Sequence, residues 1–179
     1  VRGEDRAPRG PSLAPPRAAR AILEAVEGGE SVALVVVVGD PRDRWEGRRI
    51  VVTSSRVRGS LGAPDLDREA AALARAALDD DPEAAPEGVH TLTAAETRPV
   101  RVYLELHHPQ PELVVVGAGH IARPLATVGA LLGCSVTVLD DRPEFATRER
   151  FPEAARVEKV DFTDPFRDLR IHRLTQFVL

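Results

Sequence analysis

Leu113-Val114-Val115-Val116-Gly117-Ala118-Gly119-His120-Ile121-Ala122 is the stretch on which the fold turns. A short apolar run ends directly in a glycine turn. Leu125, Val128, Leu131 and Leu132 then follow at helical spacing until Gly133 stops the pattern. Ser135 to Leu139 reads as a second strand that runs into Asp140-Asp141-Arg142-Pro143. Strand, glycine turn, helix and strand in this order make up the dinucleotide fingerprint, with Ala122 in place of its third glycine. The pattern therefore predicts the front half of a Rossmann domain.

Each position has a physical role in that reading. Gly117 permits the tight turn, Gly119 lets the backbone approach a pyrophosphate, and Ala122 lets the helix sit close on the strand. Free N–H groups at the helix start, reinforced by its dipole, attract phosphate, so Gly117, Ala118, Gly119, His120 and Ile121 are the candidate phosphate-binding residues. Pro124 is tolerated in the first helical turn, where its missing N–H had no partner. Asp140 lies 23 residues after Gly117, near the spacing at which a carboxylate accepts from ribose hydroxyls, which favours NAD over NADP. Asp141 and Arg142 complete the candidate set, and Arg142 is alternatively placed to face a 2′-phosphate. Glu144 to Arg150 reads as a short helix, Arg156 to Val160 as a third strand, and Leu174 to Leu179 as the start of a fourth. That is one βαβαβ half of a doubly wound parallel sheet. The Rossmann module, residues 112–179, is accordingly expected to be truncated, its open edge met by a second chain or by a homo-oligomer.

Working back towards the N-terminus, residues 1–16 contain four prolines and one leucine, a composition expected to stay a disordered tail. Residues 17–106 are expected to form a small α/β module. It begins with a helix from Ala18 that carries Ala19, Ile22, Leu23 and Val26 and is closed by Gly28-Gly29. The β-branched run Val32 to Val38 suits a strand covered on both faces, and Arg49 to Thr53 with Arg56 to Ser60 suits a hairpin through Ser54-Ser55. Pro64-Asp65 starts a second helix, with Asp65 able to accept from free N–H groups and Leu66, Ala70, Leu73 and Ala77 on one face. Asp79-Asp80-Asp81-Pro82 ends that helix and opens a polar stretch to about Gly88. Val100 to Leu106 is a closing strand, and residues 107–111, with prolines around Gln110, read as a linker.

Composition narrows the function. The chain has 179 residues, 43% of them hydrophobic, enough for one ordinary domain or two small ones. A net charge of −4 and few aromatic residues argue against a nucleic-acid partner. The longest apolar run is far short of the roughly 20 residues of a membrane span. No signal-peptide pattern is present, so a cytoplasmic location is expected. Cys134 is the single cysteine, which rules out an internal disulfide or a Cys-x-x-Cys metal site. It reads as buried packing between helix and strand. His107-His108 reads as solvated linker, since adjacent side chains point apart, and the acidic stretch Asp79 to Glu87 as a solvated loop. His120 suits a phosphate contact and an ordinary exposed helix-start histidine equally. Trp45 suits an exposed anchor or a cover for the sheet. No nucleophile and base stand in a recognisable motif.

Val115 to Ala122 taken together with Val138-Leu139-Asp140-Asp141-Arg142-Pro143-Glu144-Phe145-Ala146 resembles the XdhC/CoxI family, accessory proteins of molybdenum hydroxylases such as xanthine dehydrogenase and carbon monoxide dehydrogenase. The front module resembles the family as well. Val32 to Val38, the Pro41-Arg42 loop, Ile50 to Thr53, the turn Gly59-Ser60-Leu61-Gly62 and the helix Asp65 to Leu78 follow its order of elements. The resemblance implies a cofactor chaperone rather than an enzyme in its own right: a maturation factor that binds molybdenum cofactor, protects it during sulfuration and passes it to the apo-hydroxylase. The chain departs from the family where the glycine-rich turn normally leads into Cys and Glu, because Gly62-Ala63-Pro64-Asp65 has neither there. Two rival readings stand beside it: an NAD-binding oxidoreductase fragment, and a nonfunctional remnant of the family.

Overall fold

The computed structural model describes residues 11–40, 44–79, 85–93 and 99–179. Chain contacts separate two compact units, Val1–His108 and Pro109–Leu179. The Pro41-Arg42 loop, residues 1–10 of the expected tail and Asp80 to Ala84 of the acidic stretch lie outside the described residues.

The first unit begins with α1 (Pro15–Glu27), three residues earlier than expected. Pro15 and Pro16 occupy its first turn, where a missing N–H costs nothing. The expected tail is corrected at its C-terminal end too. Ser12 Oγ accepts from the Arg49 N–H at 3.2 Å, and Leu13 packs with the α1 core, so one apolar residue is enough to tie this segment down.

Next come β1 (Val32–Gly39), β2 (Arg49–Val52), β3 (Val57–Gly59), α2 (Pro64–Leu78), β4 (Gly88–Leu92) and β5 (Val100–His107). The strands form one antiparallel sheet in the order β3-β2-β1-β5-β4. Central β1 is apolar at every side-chain position because both of its faces are covered along most of its length, with only Val38 exposed. Ala33, Val35 and Val37 join the core under α2, while Val32 and partly buried Leu34 join that under α1. The hairpin closes through the Thr53 N–H to Arg56 O bond, 2.9 Å.

Helix α2 is turned from its expected face. Leu66, Ala70, Ala71, Ala74 and Leu78 are buried, whereas Leu73 and Ala77 are only partly so. In so alanine-rich a helix the apolar pattern hardly distinguishes one face from the next, and the sheet selects the i, i+4 row from Leu66. Asp65 does not cap it: the cap residue is Ala63, and Asp65 pairs with Arg68. Asp67 reaches back instead, accepting from the Leu61 N–H at 2.6 Å and the Ser60 hydroxyl at 2.8 Å. The turn it secures is also closed from above. Gly62 has φ +126°, and a Cβ there would lie 2.4 Å from Nε1 of buried Trp45. Glu87, expected in a solvated loop, accepts from the Leu106 N–H at 2.6 Å.

The second unit contains β6 (Glu112–Val116), α3 (Ala122–Leu131), β7 (Ser135–Asp140), β8 (Arg156–Lys159) and β9 (Thr175–Val178). All four strands are parallel, in the order β8-β7-β6-β9. The first β-strand of the unit is thus central, with the chain progressing outward on one side before crossing to the other, as in a Rossmann half. Val115, Ala122, Ala126, Val136, Val138 and Phe151 form its core. Glu144 to Arg150 is a series of turns rather than the expected helix. Arg142 O accepts from both Phe145 N and Ala146 N, at 3.0 and 3.1 Å, and so short a segment cannot offset the cost of nucleating a helix. His107 belongs to β5, and His108 Nδ1 lies 2.9 Å from Ser31 Oγ, so the expected linker is partly ordered structure. Among the described residues no helix is long and apolar enough to cross a membrane.

Candidate functional site

The C-terminal ends of β6 and β7 bring the glycine turn and the acidic pair together. Gly117 takes φ +97°, a left-handed conformation that costs a side-chain-bearing residue dearly, and its N–H continues the strand ladder to Leu139 O at 2.7 Å. Among the described residues, none other than the immediate chain neighbours has an atom within 4 Å of where a Cβ would stand on Gly117 or Gly119, so the space over the turn is open. Ala118 is buried, whereas His120 and Ile121 face solvent, Ile121 at 68% exposure. The N–H groups of the first turn have no intrahelical acceptors. Pro124 falls in that turn, as the sequence reading required.

Asp140 lies beside the turn, 1% exposed. Its Oδ2 accepts from the Ala118 N–H at 2.6 Å and from Arg142 Nη2 at 2.9 Å; its Oδ1 accepts from Arg142 Nε and from the Arg142 backbone N–H, both at 2.9 Å. The Arg142 guanidinium holds the carboxyl well below the usual aspartate range, and the Ala118 N–H adds to this against the opposing effect of burial. Asp140 in turn raises the Arg142 pKa. Asp141 points outward, 54% exposed, with a carboxylate oxygen 3.9 Å from Arg142 Nε.

Two residues that the sequence reading gave no role belong to this site. The guanidinium carbons of Arg142 and Arg150 lie 4.0 and 4.5 Å from the Phe145 ring centroid, and Arg150 Nη2 donates to Ala118 O at 3.0 Å. The spacing Arg142-x-x-Phe145 was the available signal, but a helix assignment there concealed the turn that makes the stack. Cys134 lies at the opposite, N-terminal end of β7, partly buried in the core, and brings no thiol to the turn. Among the described residues no three His, Cys, Asp or Glu side chains are grouped to hold a metal ion.

Residues 113–179 match the family model of the XdhC Rossmann domain, and residues 25–87 match that of the XdhC and CoxI family. The chain belongs to the XdhC and CoxI family. Its two matches follow the order of the two units and together take in most of the chain. Within 51 residues, 28% of the chain, it is 41% identical to the uncharacterized protein YqeB of Escherichia coli K12. Its fold is similar to that of a solved xanthine dehydrogenase from Bacillus halodurans, with a TM-score of 0.58 and 17% identity over 88% of the chain. The chain spans 9% of YqeB and 42% of that solved chain, so it corresponds to a minor part of each.

Proposed function

We propose that this chain is an accessory factor in the maturation of a molybdenum hydroxylase of the xanthine dehydrogenase or carbon monoxide dehydrogenase type, binding molybdenum cofactor and handing it to the apo-enzyme. The carrying observation is the succession of the two family matches on the two units. In the Rossmann unit the proposal includes a nucleotide, its pyrophosphate over Gly117, Ala118, Gly119, His120 and Ile121 and its ribose end towards Asp140, Asp141 and Arg142. The open space above Gly117 and Gly119 supports this reading.

The residues suit the phosphate-bearing part of either ligand better than the metal. Cys134 stands at the far end of β7, and the turn from Gly59 to Gly62 is secured by Asp67 and covered by Trp45, with no thiol beside it. The molybdenum centre supplies the redox chemistry of the finished hydroxylase. This chain's own part is to hold and orient anionic groups with backbone N–H donors and a guanidinium. Thermal melting of the purified chain with molybdenum cofactor at 100 times the dissociation constant should show a gain of about 2.7 kcal/mol. A cooperative melt that the cofactor leaves unmoved at any concentration would remove the cofactor-binding part of the proposal.

The second reading, an NAD-binding oxidoreductase fragment, draws on the same glycine turn. It predicts hydride transfer from a reduced nicotinamide to an added acceptor, which absorbance at the nicotinamide band detects directly.

A further inference from the structure

The sequence places a ribose-reading carboxylate at Asp140, but in the folded chain that carboxylate is already fully used. An ionised carboxylate offers about four lone-pair sites. On Asp140 the Ala118 N–H, two guanidinium N–H groups and the Arg142 backbone N–H take them, and the side chain is 1% exposed. Two ribose hydroxyls arriving as donors would have to displace charge-assisted bonds to find an acceptor there.

Beside the outward-facing Asp141 carboxylate, the end of β7 presents a donor to solvent. The Arg142 side chain is 50% exposed, and its pair with Asp140 leaves three of the roughly five guanidinium N–H donors outside it. The bidentate bond to Asp140 and the contact with Phe145 restrict the guanidinium, so little freedom remains to be lost on binding. Arg150 brings a second cation over the same ring.

Resting on the nucleotide reading of the glycine turn, we propose that this site selects a nucleotide whose adenosine ribose carries a 2′-phosphate, the NADP class, over one with a free diol, and that Arg142 is the residue that reads the phosphate. Asp140 is then a positioning residue, holding Arg142 against the turn. Asp141 and Glu144, the other acidic groups facing Arg142, oppose the phosphate and limit its affinity.

The test is calorimetric titration of the full chain with NADP+ and with NAD+, repeated with 2′,5′-ADP and 5′-AMP to isolate the 2′-phosphate. NADP+ is expected to bind at least about tenfold more tightly, the effect of one charge-assisted hydrogen bond. Arg142→Gln should abolish the preference. Because Arg142 also braces the turn, Asp141→Asn provides a variant that leaves the Asp140–Arg142 pair in place, and it should strengthen NADP+ binding severalfold while leaving NAD+ binding little changed. Equal binding of the two nucleotides, or a preference for NAD+, overturns the proposal while leaving the nucleotide reading intact. So does Asp141→Asn weakening NAD+ without strengthening NADP+, since Asp141 would then be reading the ribose diol. Absence of binding by all four probes overturns the nucleotide reading and the proposal with it.

Discussion

Asp140 is a buried charge whose partners lie within the candidate site, so the same contacts stabilise the unit and shape what it can bind. Its pKa is depressed on folding. The resulting stability is therefore present above the unfolded aspartate value, about 3.9, and is lost as pH falls from there through the folded value. Asp140→Asn replaces one acceptor oxygen by an amide that faces donors. It should cost on the order of 2 kcal/mol at neutral pH in urea unfolding, allowing for the half-exposed position of Arg142. The gap between variant and wild type should narrow as pH is lowered from about 5 towards 2. A gap that is constant across that range would mean that the carboxylate is not held as described. The identity and spacing of Asp140 were legible in the sequence, but its occupancy was not. Whether a carboxylate waits for ribose or is taken by Arg142 depends on where a turn two residues away directs a flexible side chain.

Helix α3 lies close against the sheet at Gly129, seven residues beyond the alanine that the fingerprint assigns to close packing. A Cβ on Gly129 would lie 2.6 Å from Leu113 Cδ2 and 3.2 Å from Val136 Cγ2. Gly129→Val should therefore destabilise the second unit by about 1–3 kcal/mol through overpacking, although it removes a glycine from a helix. An increase in the unfolding midpoint would show that α3 is free to lift from β6 and β7. The sequence announced β6, α3 and β7 clearly because each combines an apolar pattern with glycine punctuation nearby. Strand β4 announced itself poorly: five residues at a sheet edge, with Leu92 its one buried side chain. The turns from Glu144 to Arg150 were misread because their helical composition is local, whereas the Arg142 and Arg150 stack on Phe145 comes from the fold.

Two units with separate cores imply two cooperative transitions. Calorimetry should resolve them, and NADP+ should raise only the transition belonging to residues 109–179. A ligand-induced rise of both together would show that the units unfold as one.

The order of strand, glycine turn, helix and strand, the candidate residues around it and the family resemblance were determined by the sequence alone, because they rest on local periodicity and on conformations that glycine permits. The antiparallel order β3-β2-β1-β5-β4, the parallel order β8-β7-β6-β9 and the saturation of Asp140 were decided only by tertiary structure. Strand neighbours and the partners of a buried charge are chosen among groups far apart along the chain or free to turn several ways, and the chosen set is the one that leaves fewest apolar faces and polar atoms unsatisfied.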